Sequence, residues 1–162
     1  MPNWCDNTAR FYNPSKGLID MLETELKKEG NVKLLNHLVP RPIEQENNWY
    51  EWNTTNWGTK WDADIFHYER NDDRTITVHF ASAWAPPIAL YDNLCNQDWQ
   101  VEALYHEPGM AFLGRHVGGV DECYEYDIGD RSTLDDIPPE LIEWANLEEA
   151  FDDAETWNDE DN

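Results

Sequence analysis

The tightest constraint on the fold of this chain is a pair of alternating segments, "ADIFHYER" and "RTITVHFASAW", separated only by "NDD". Alternation with a period of two on both sides of a short polar turn predicts an antiparallel hairpin. Pairing Phe66 with Val78 and Tyr68 with Ile76 puts Phe66, Tyr68, Ile76, Val78 and Phe80 on the core face. Ile65, His67, Glu69, Thr75, Thr77 and His79 take the other, half-polar face.

The flanking segments place this hairpin in a larger order. "CDNTARFYN" reads as a first strand. In "PSKGLIDMLETELKKEG", Pro14 and Ser15 suit a helix start, and Leu18, Met21, Leu22, Glu25 and Leu26 recur at helical spacing. Lys27 and Lys28 fall in the last turn and Gly30 is placed for a C-cap. "NVKLLNHLVPRP" is short and apolar and reads as an extended connection. After the hairpin, "APPIALYDNLCNQD" predicts a helix opened by Pro86 or Pro87, with Ile88, Tyr91, Leu94 and Cys95 on one face. "QVEALYHEPG" predicts a strand, and "MAFLGRHVGG" and "VDECYEYDIGD" two more. "DDIPPELIEWANLEEAF" predicts a short helix with Leu141, Trp144, Leu147 and Phe151 as its stripe. The remaining "DDAETWNDEDN" reads as frayed or disordered.

The first six elements run strand, helix, strand, strand, helix, strand. That order predicts an α+β fold, a ferredoxin-like split βαβ sandwich with an antiparallel sheet. A Trp-rich insertion at 47–62 and a C-terminal acidic helix are added to it. The expected organisation is a body at 1–119 and an acidic extension at 120–162.

Charge divides the chain the same way. The 162 residues carry a net charge of −23. From Asp121 onward there are 17 acids and a single base, net −16, against 17 acids and 10 bases, net −7, in residues 1–120. Such a field repels nucleic acid, whose binding needs cations facing phosphates. It attracts basic protein surfaces and speeds their encounter. It also repels anionic lipid, and no apolar run approaches the roughly 20 residues of a membrane span. "MPNWCDN" shows no secretory signal. Cys5, Cys95 and Cys123 are odd in number and widely spaced, which fits a reducing, cytoplasmic compartment and no zinc site.

Four motifs carry a family resemblance: "MPNWCDN", "YEWNTTNWGTKWDA", "FASAWAPP" and "YHEPGMAFLG". With them the chain resembles the YubB ferredoxin-like (Api92-like) proteins of phages and plasmids, with Ser82 standing where that family usually has Thr. The resemblance covers roughly residues 1–116 and leaves the acidic extension outside. It implies the fold and a mobile-element setting in a bacterial cytoplasm, and no mechanism. The three cysteines cannot hold an iron–sulfur cluster by four thiolates.

Candidate chemistry gathers at three places. In the Trp-rich block, Trp57 and Trp61, with Trp84, could wall a pocket for a flat, nucleotide-like ligand. Gly58 would allow close approach, and Asn56, Lys60 or Arg115 would supply polar contacts. The competing and favoured reading is that the indoles seal one end of the sheet. His67 and His79 lie diagonally on one hairpin face with Glu69 nearby, a weak signal for a metal. Glu107 beside His106 could form an acid/base pair, but neighbours on a strand point to opposite faces, and Pro108-Gly109 reads as a turn that needs them. Cys5 reads as a buried small hydrophobe. No cofactor, metal or catalytic residue is expected.

The leading expectation is a non-catalytic accessory protein. Its acidic surface, through Asp152, Asp153, Glu155, Asp159, Glu160 and Asp161, would bind a basic surface of a host protein, one that binds nucleic acid, as a DNA mimic would. The alternatives are a nucleotide-like ligand held at Asn56, Trp57, Gly58, Lys60, Trp61, Trp84, Glu107 and Arg115, or a small enzyme at that pocket.

Overall fold

The computed structural model describes residues 2–160. Six strands form one antiparallel sheet: β1 (Trp4–Tyr12), β2 (Asp64–Asp72), β3 (Thr75–Ala83), β4 (Gln100–Glu107), β5 (Phe112–Val117) and β6 (Val120–Glu125). Their spatial order is β2-β3-β1-β4-β5-β6. The first four strands, with α1 (Lys16–Leu26) after β1 and α4 (Ile88–Cys95) after β3, make the expected ferredoxin-like unit. Two further strands extend its β4 edge.

Alternation in β1 and β4 turns Cys5, Asn7, Ala9 and Phe11, and Val101, Ala103 and Tyr105, to the face under α1 and α4. There Ala9, Phe11, Val101 and Ala103 meet Ile19, Leu22, Leu90, Tyr91 and Leu94 in the main core. In α1 the buried stripe is centred on Ile19, and Leu18 and Met21 are exposed. The predicted Ser15 start holds: its hydroxyl accepts from the Leu18 amide.

The hairpin forms, in a different register. Tyr68 pairs with Val78, and Ile65 with Phe80. An irregularity between Ile65 and His67 lifts Phe66 out of the ladder, so Phe66 is exposed and Ile65 takes its place against the core. His67 and His79 are then directly opposite, rings 5.9 Å apart, and not diagonal.

Two other expectations are corrected. The apolar connector after α1 is a helix, α2 (Leu34–Leu38), whose three leucines are all buried. Its N-terminus is capped from a distance: the Asp62 carboxylate accepts from the Leu35 and Asn36 amides at 2.8 and 3.0 Å. A short 3-10 turn (Ile43–Asn48) then leads into α3 (Trp49–Asn56).

The extension is likewise more ordered than its sequence suggests. Gly118 and Gly119, both at positive φ, turn β5 into β6. A 3-10 segment (Arg131–Asp136), α5 (Pro139–Ala145) and α6 (Leu147–Glu160) follow. Asn146, in the left-handed region, breaks the single predicted helix into two. Through Glu160 the segment read as disordered is helical; residues 161 and 162 lie outside the described residues. Leu113, Leu134, Ile137, Leu141, Leu147 and Phe151 form a second core. Since Leu113 and the adjacent Gly114 point to opposite faces, this core lies on the sheet face opposite the main one. It covers β4, β5 and β6, and leaves Thr8, Arg10, Thr77 and His79 of the remaining strands on the uncovered half.

Candidate functional site

The Trp-rich block seals one end of the core and lines a cleft beside it. Trp57 is 2% exposed, stands edge-on to Trp52, and donates its indole N–H to the Val39 carbonyl at 2.8 Å. It is part of the core. Gly58 has φ +86°, and a Cβ there would stand 3.2 Å from the amide nitrogens of Ile88 and Ala89, so a side chain at this end of α3 would be strained and would press on the start of α4. Asn56 donates to Trp52 and accepts, through its carbonyl, from Asn93. Thr59 reaches the Ala83 carbonyl at 2.8 Å.

Beside this seal lies an open cleft of about 430 Å³. Trp57 forms part of its wall, and Trp49 and Trp61, both partly exposed, line it further. The polar residues facing the cleft are ones the sequence did not single out: Lys33, Asn36, Arg41, Glu46, Asn53 and Asp62. Asn53 is buried. Its amide nitrogen donates to the Lys60 carbonyl at 2.8 Å, and its oxygen accepts from Arg41 Nη1 at 2.9 Å. Burial pushes the Asp62 carboxyl up, against the lowering effect of the Leu35, Asn36 and Ala63 amides that bond it.

The other residues of the expected pocket are elsewhere. Lys60 lies over the Trp61 ring, 4.1 Å from its centroid, and does not line the cleft. Trp84 adopts φ +69° at the end of β3, half exposed, with its amide bonded to the Asn3 carbonyl. Trp61 lies instead near Trp4, with centroids 6.2 Å apart and the rings tilted at 39°. Arg115 is paired with Glu122 at 2.6 Å across β5 and β6. Glu107 is buried and accepts from the Gly109 and Met110 amides at 2.7 and 2.8 Å, which fixes the turn. His106 points to the opposite face and contacts the Tyr126 hydroxyl at 2.8 Å. Glu107 and His106 therefore do not converge. Burial, aided by the Glu107 charge, holds the Cys5 thiol well above its usual pKa, which fits an inert core cysteine. Among the described residues no group of three or more His, Cys, Asp or Glu could hold a metal ion.

The acidic residues are set out on α6. Arg131 reaches across to it and bonds Glu148, Asp152 and Glu155 at 2.7, 2.6 and 2.8 Å. These carboxylates are one and two turns apart on a single stripe. The same guanidinium stands 5.6 Å from the Phe151 ring. Asp152 and Glu155, expected to face a partner, are thus engaged within the chain. Asp153, Asp159 and Glu160 are exposed and form no ion pair among the described residues. Asp161 lies outside the described residues. Trp157, 70% exposed, stands among these acids. No described helix is long and apolar enough to cross a membrane.

Comparison with known proteins gives a family and a distant structural likeness. A crystal structure of the protein Api92 from Yersinia pseudotuberculosis is similar with a TM-score of 0.42 and 19% identity, over 57% of this chain and 39% of that one. The chain thus spans well under half of that protein. No curated protein matches it. Residues 56–161 match the family described as the ferredoxin-like domain in Api92-like protein, a stretch that runs through the acidic extension left outside by the sequence motifs. By that match, which covers well over half of the chain, this protein belongs to the Api92-like family through its ferredoxin-like domain.

Proposed function

We propose that the chain is a non-catalytic binding protein, a phage- or plasmid-type accessory factor of the bacterial cytoplasm, whose acidic extension engages a basic surface on a host protein. The observation that carries this reading is the ordered display of Asp153 and Glu160 on a face of α6 roughly 120° from the stripe that Arg131 bonds, with Asp159 extending that stripe past its ion pairs. Charges fixed before the encounter reduce the ordering cost of binding. A surface that is negative in one direction steers a positive partner. Partners evolved to face phosphates present such cations, so a nucleic-acid-binding host protein is the class favoured, with the carboxylates standing in for phosphates.

The test is affinity capture from bacterial lysate with three baits: the natural chain, D153N/D159N/E160Q, and E29Q/E44Q/E51Q. The two variants lose the same number of charges, and Glu29, Glu44 and Glu51 are exposed on the body. The expected result is a partner kept by the first and third baits, lost by the second, and eluted at moderate salt. Equal capture by all three baits would remove the acidic helix from the function.

A further inference from the structure

The geometry points to a second binding site, the cleft between the Trp-rich insertion and the segment that follows α1, for a planar ring that carries one anionic group. This inference does not rest on the acidic surface.

A net charge of −23 opposes an anion at long range. Yet exposed charges separated by more than about 8 Å are largely screened at physiological salt, so the groups lining the cleft decide. Among the described residues Lys33 and Arg41 form no ion pair, although most of the lysines and arginines elsewhere do. Arg41 is not a loose surface side chain. Its Nη1 is held by Asn53, which is itself buried and anchored to the Lys60 carbonyl. Its backbone amide is held by Asn36 Oδ1 at 3.0 Å. A guanidinium positioned through one nitrogen keeps its others for a carboxylate or phosphate, which Arg binds as a fork. Lys33 lines the same cleft, and Lys60 adds positive charge behind Trp61.

The carboxylates nearby do not cancel this. Asp62 is occupied by the amides of Leu35, Asn36 and Ala63. Glu46 is exposed on the 3-10 turn and disfavours a ligand with several charges.

The aromatic half of the site supplies the ring preference. Trp49 and Trp61 leave about two fifths of their surface in water although they line a concavity. Trp57 closes the wall with its N–H already used. Indole faces stack on planar rings, and the volume of about 430 Å³ lies in the range of small-ligand pockets, roughly 300–1,000 Å³. Ring and anion together select a nucleoside monophosphate or an aromatic carboxylate over a triphosphate.

The test is calorimetric titration, with tryptophan fluorescence in parallel, of the full chain with AMP, 4-aminobenzoate, ATP, adenosine and inorganic phosphate. AMP or 4-aminobenzoate is expected to saturate the site and quench fluorescence, ATP to bind more weakly, and adenosine and phosphate to bind far more weakly still. Whichever of the first two saturates tells phosphate from carboxylate. Arg41→Ala should weaken that binding by roughly tenfold to a hundredfold, the range for a hydrogen bond to a charged group, and W61A should weaken it by about tenfold. R41K, which keeps the charge and loses the fork, should fall between the natural chain and R41A. Thermal melts establish that each variant folds; if R41A does not, R41K and W61F are read in its place. The inference is overturned if neither AMP nor 4-aminobenzoate saturates below about 1 mM. It is equally overturned if phosphate binds as well as AMP, or if R41K and the Trp61 variants bind like the natural chain.

Discussion

The insertion between α1 and β2 and the extension after β6 decorate the same βαββαβ frame, and they are held to it in opposite ways. The insertion is braced by polar side chains bonded to backbone: Trp57 to Val39, Asn53 to Lys60 and Asp62 to the start of α2 within the insertion, and Thr59 to Ala83 of the frame. Where the side chain is buried, as at Trp57, Asn53 and Thr59, a broken bond leaves an unsatisfied group inside the protein. The extension is tied by apolar side chains from Leu134 to Phe151 and, at its surface, by Arg131 gripping three carboxylates. Past Phe151 no side chain of α6 is fully buried. The insertion is therefore fixed by shape. The end of the extension is fixed by charge, and charge is what salt, pH or a basic partner can change.

Trp57 and Phe151 are the aromatic anchors of the two regions. Trp57→Ala should cost roughly 3–5 kcal/mol, the range for deleting a large buried aromatic, and urea unfolding should show it as a loss across the whole chain. Phe151→Ala removes an aromatic of similar burial from the second core and should cost about 3 kcal/mol. Here the loss should be local: proteolysis should cut within α6 while the near-ultraviolet signal of the main core persists. Asn53→Ala should cost roughly 1–3 kcal/mol, since it removes a buried side chain that bonds the Lys60 carbonyl and holds Arg41. Arg131→Ala should change global stability little, because exposed ion pairs contribute little. It should lower helical circular dichroism at low salt, and added salt should restore it by screening Glu148, Asp152 and Glu155.

The smallest expected effect is a pH dependence. Burial holds His106 below its ordinary pKa of about 6.5. Its neutral form is the folded one, so its contribution is complete above that value and is lost as pH falls below it toward the depressed folded value. Melting temperatures at pH 7 and 5.5 should differ less in H106Q than in the natural chain.

How much the sequence reveals varies between these regions for physical reasons. Strand order is legible because alternation is local, and it carries the hairpin even though the bulge at Phe66 shifts its register. Helix α2 is hidden because its cap, Asp62, lies 27 residues from the amide it bonds. The same long reach hides half of the cleft: Trp57 and Trp61 stand out as tryptophans, but Arg41 and Lys33 lie in a segment that reads as a connector. The end of α6 reads as disorder because its composition is acidic, and only the approach of Arg131 from an earlier turn offsets that repulsion. Glu107 and Arg115 look like site residues in one dimension, and in three each is occupied by its own hairpin.

On this structure the extension is a preformed acidic surface and not a tail. Amide hydrogen exchange on the free chain at neutral pH tests it most directly. The amides of residues 150–156 should be protected in the natural chain and lose much of that protection in R131A at low salt, while those of β1 and β3 are unchanged in both. Exchange of residues 150–156 at unfolded-chain rates in the natural protein would contradict the claim.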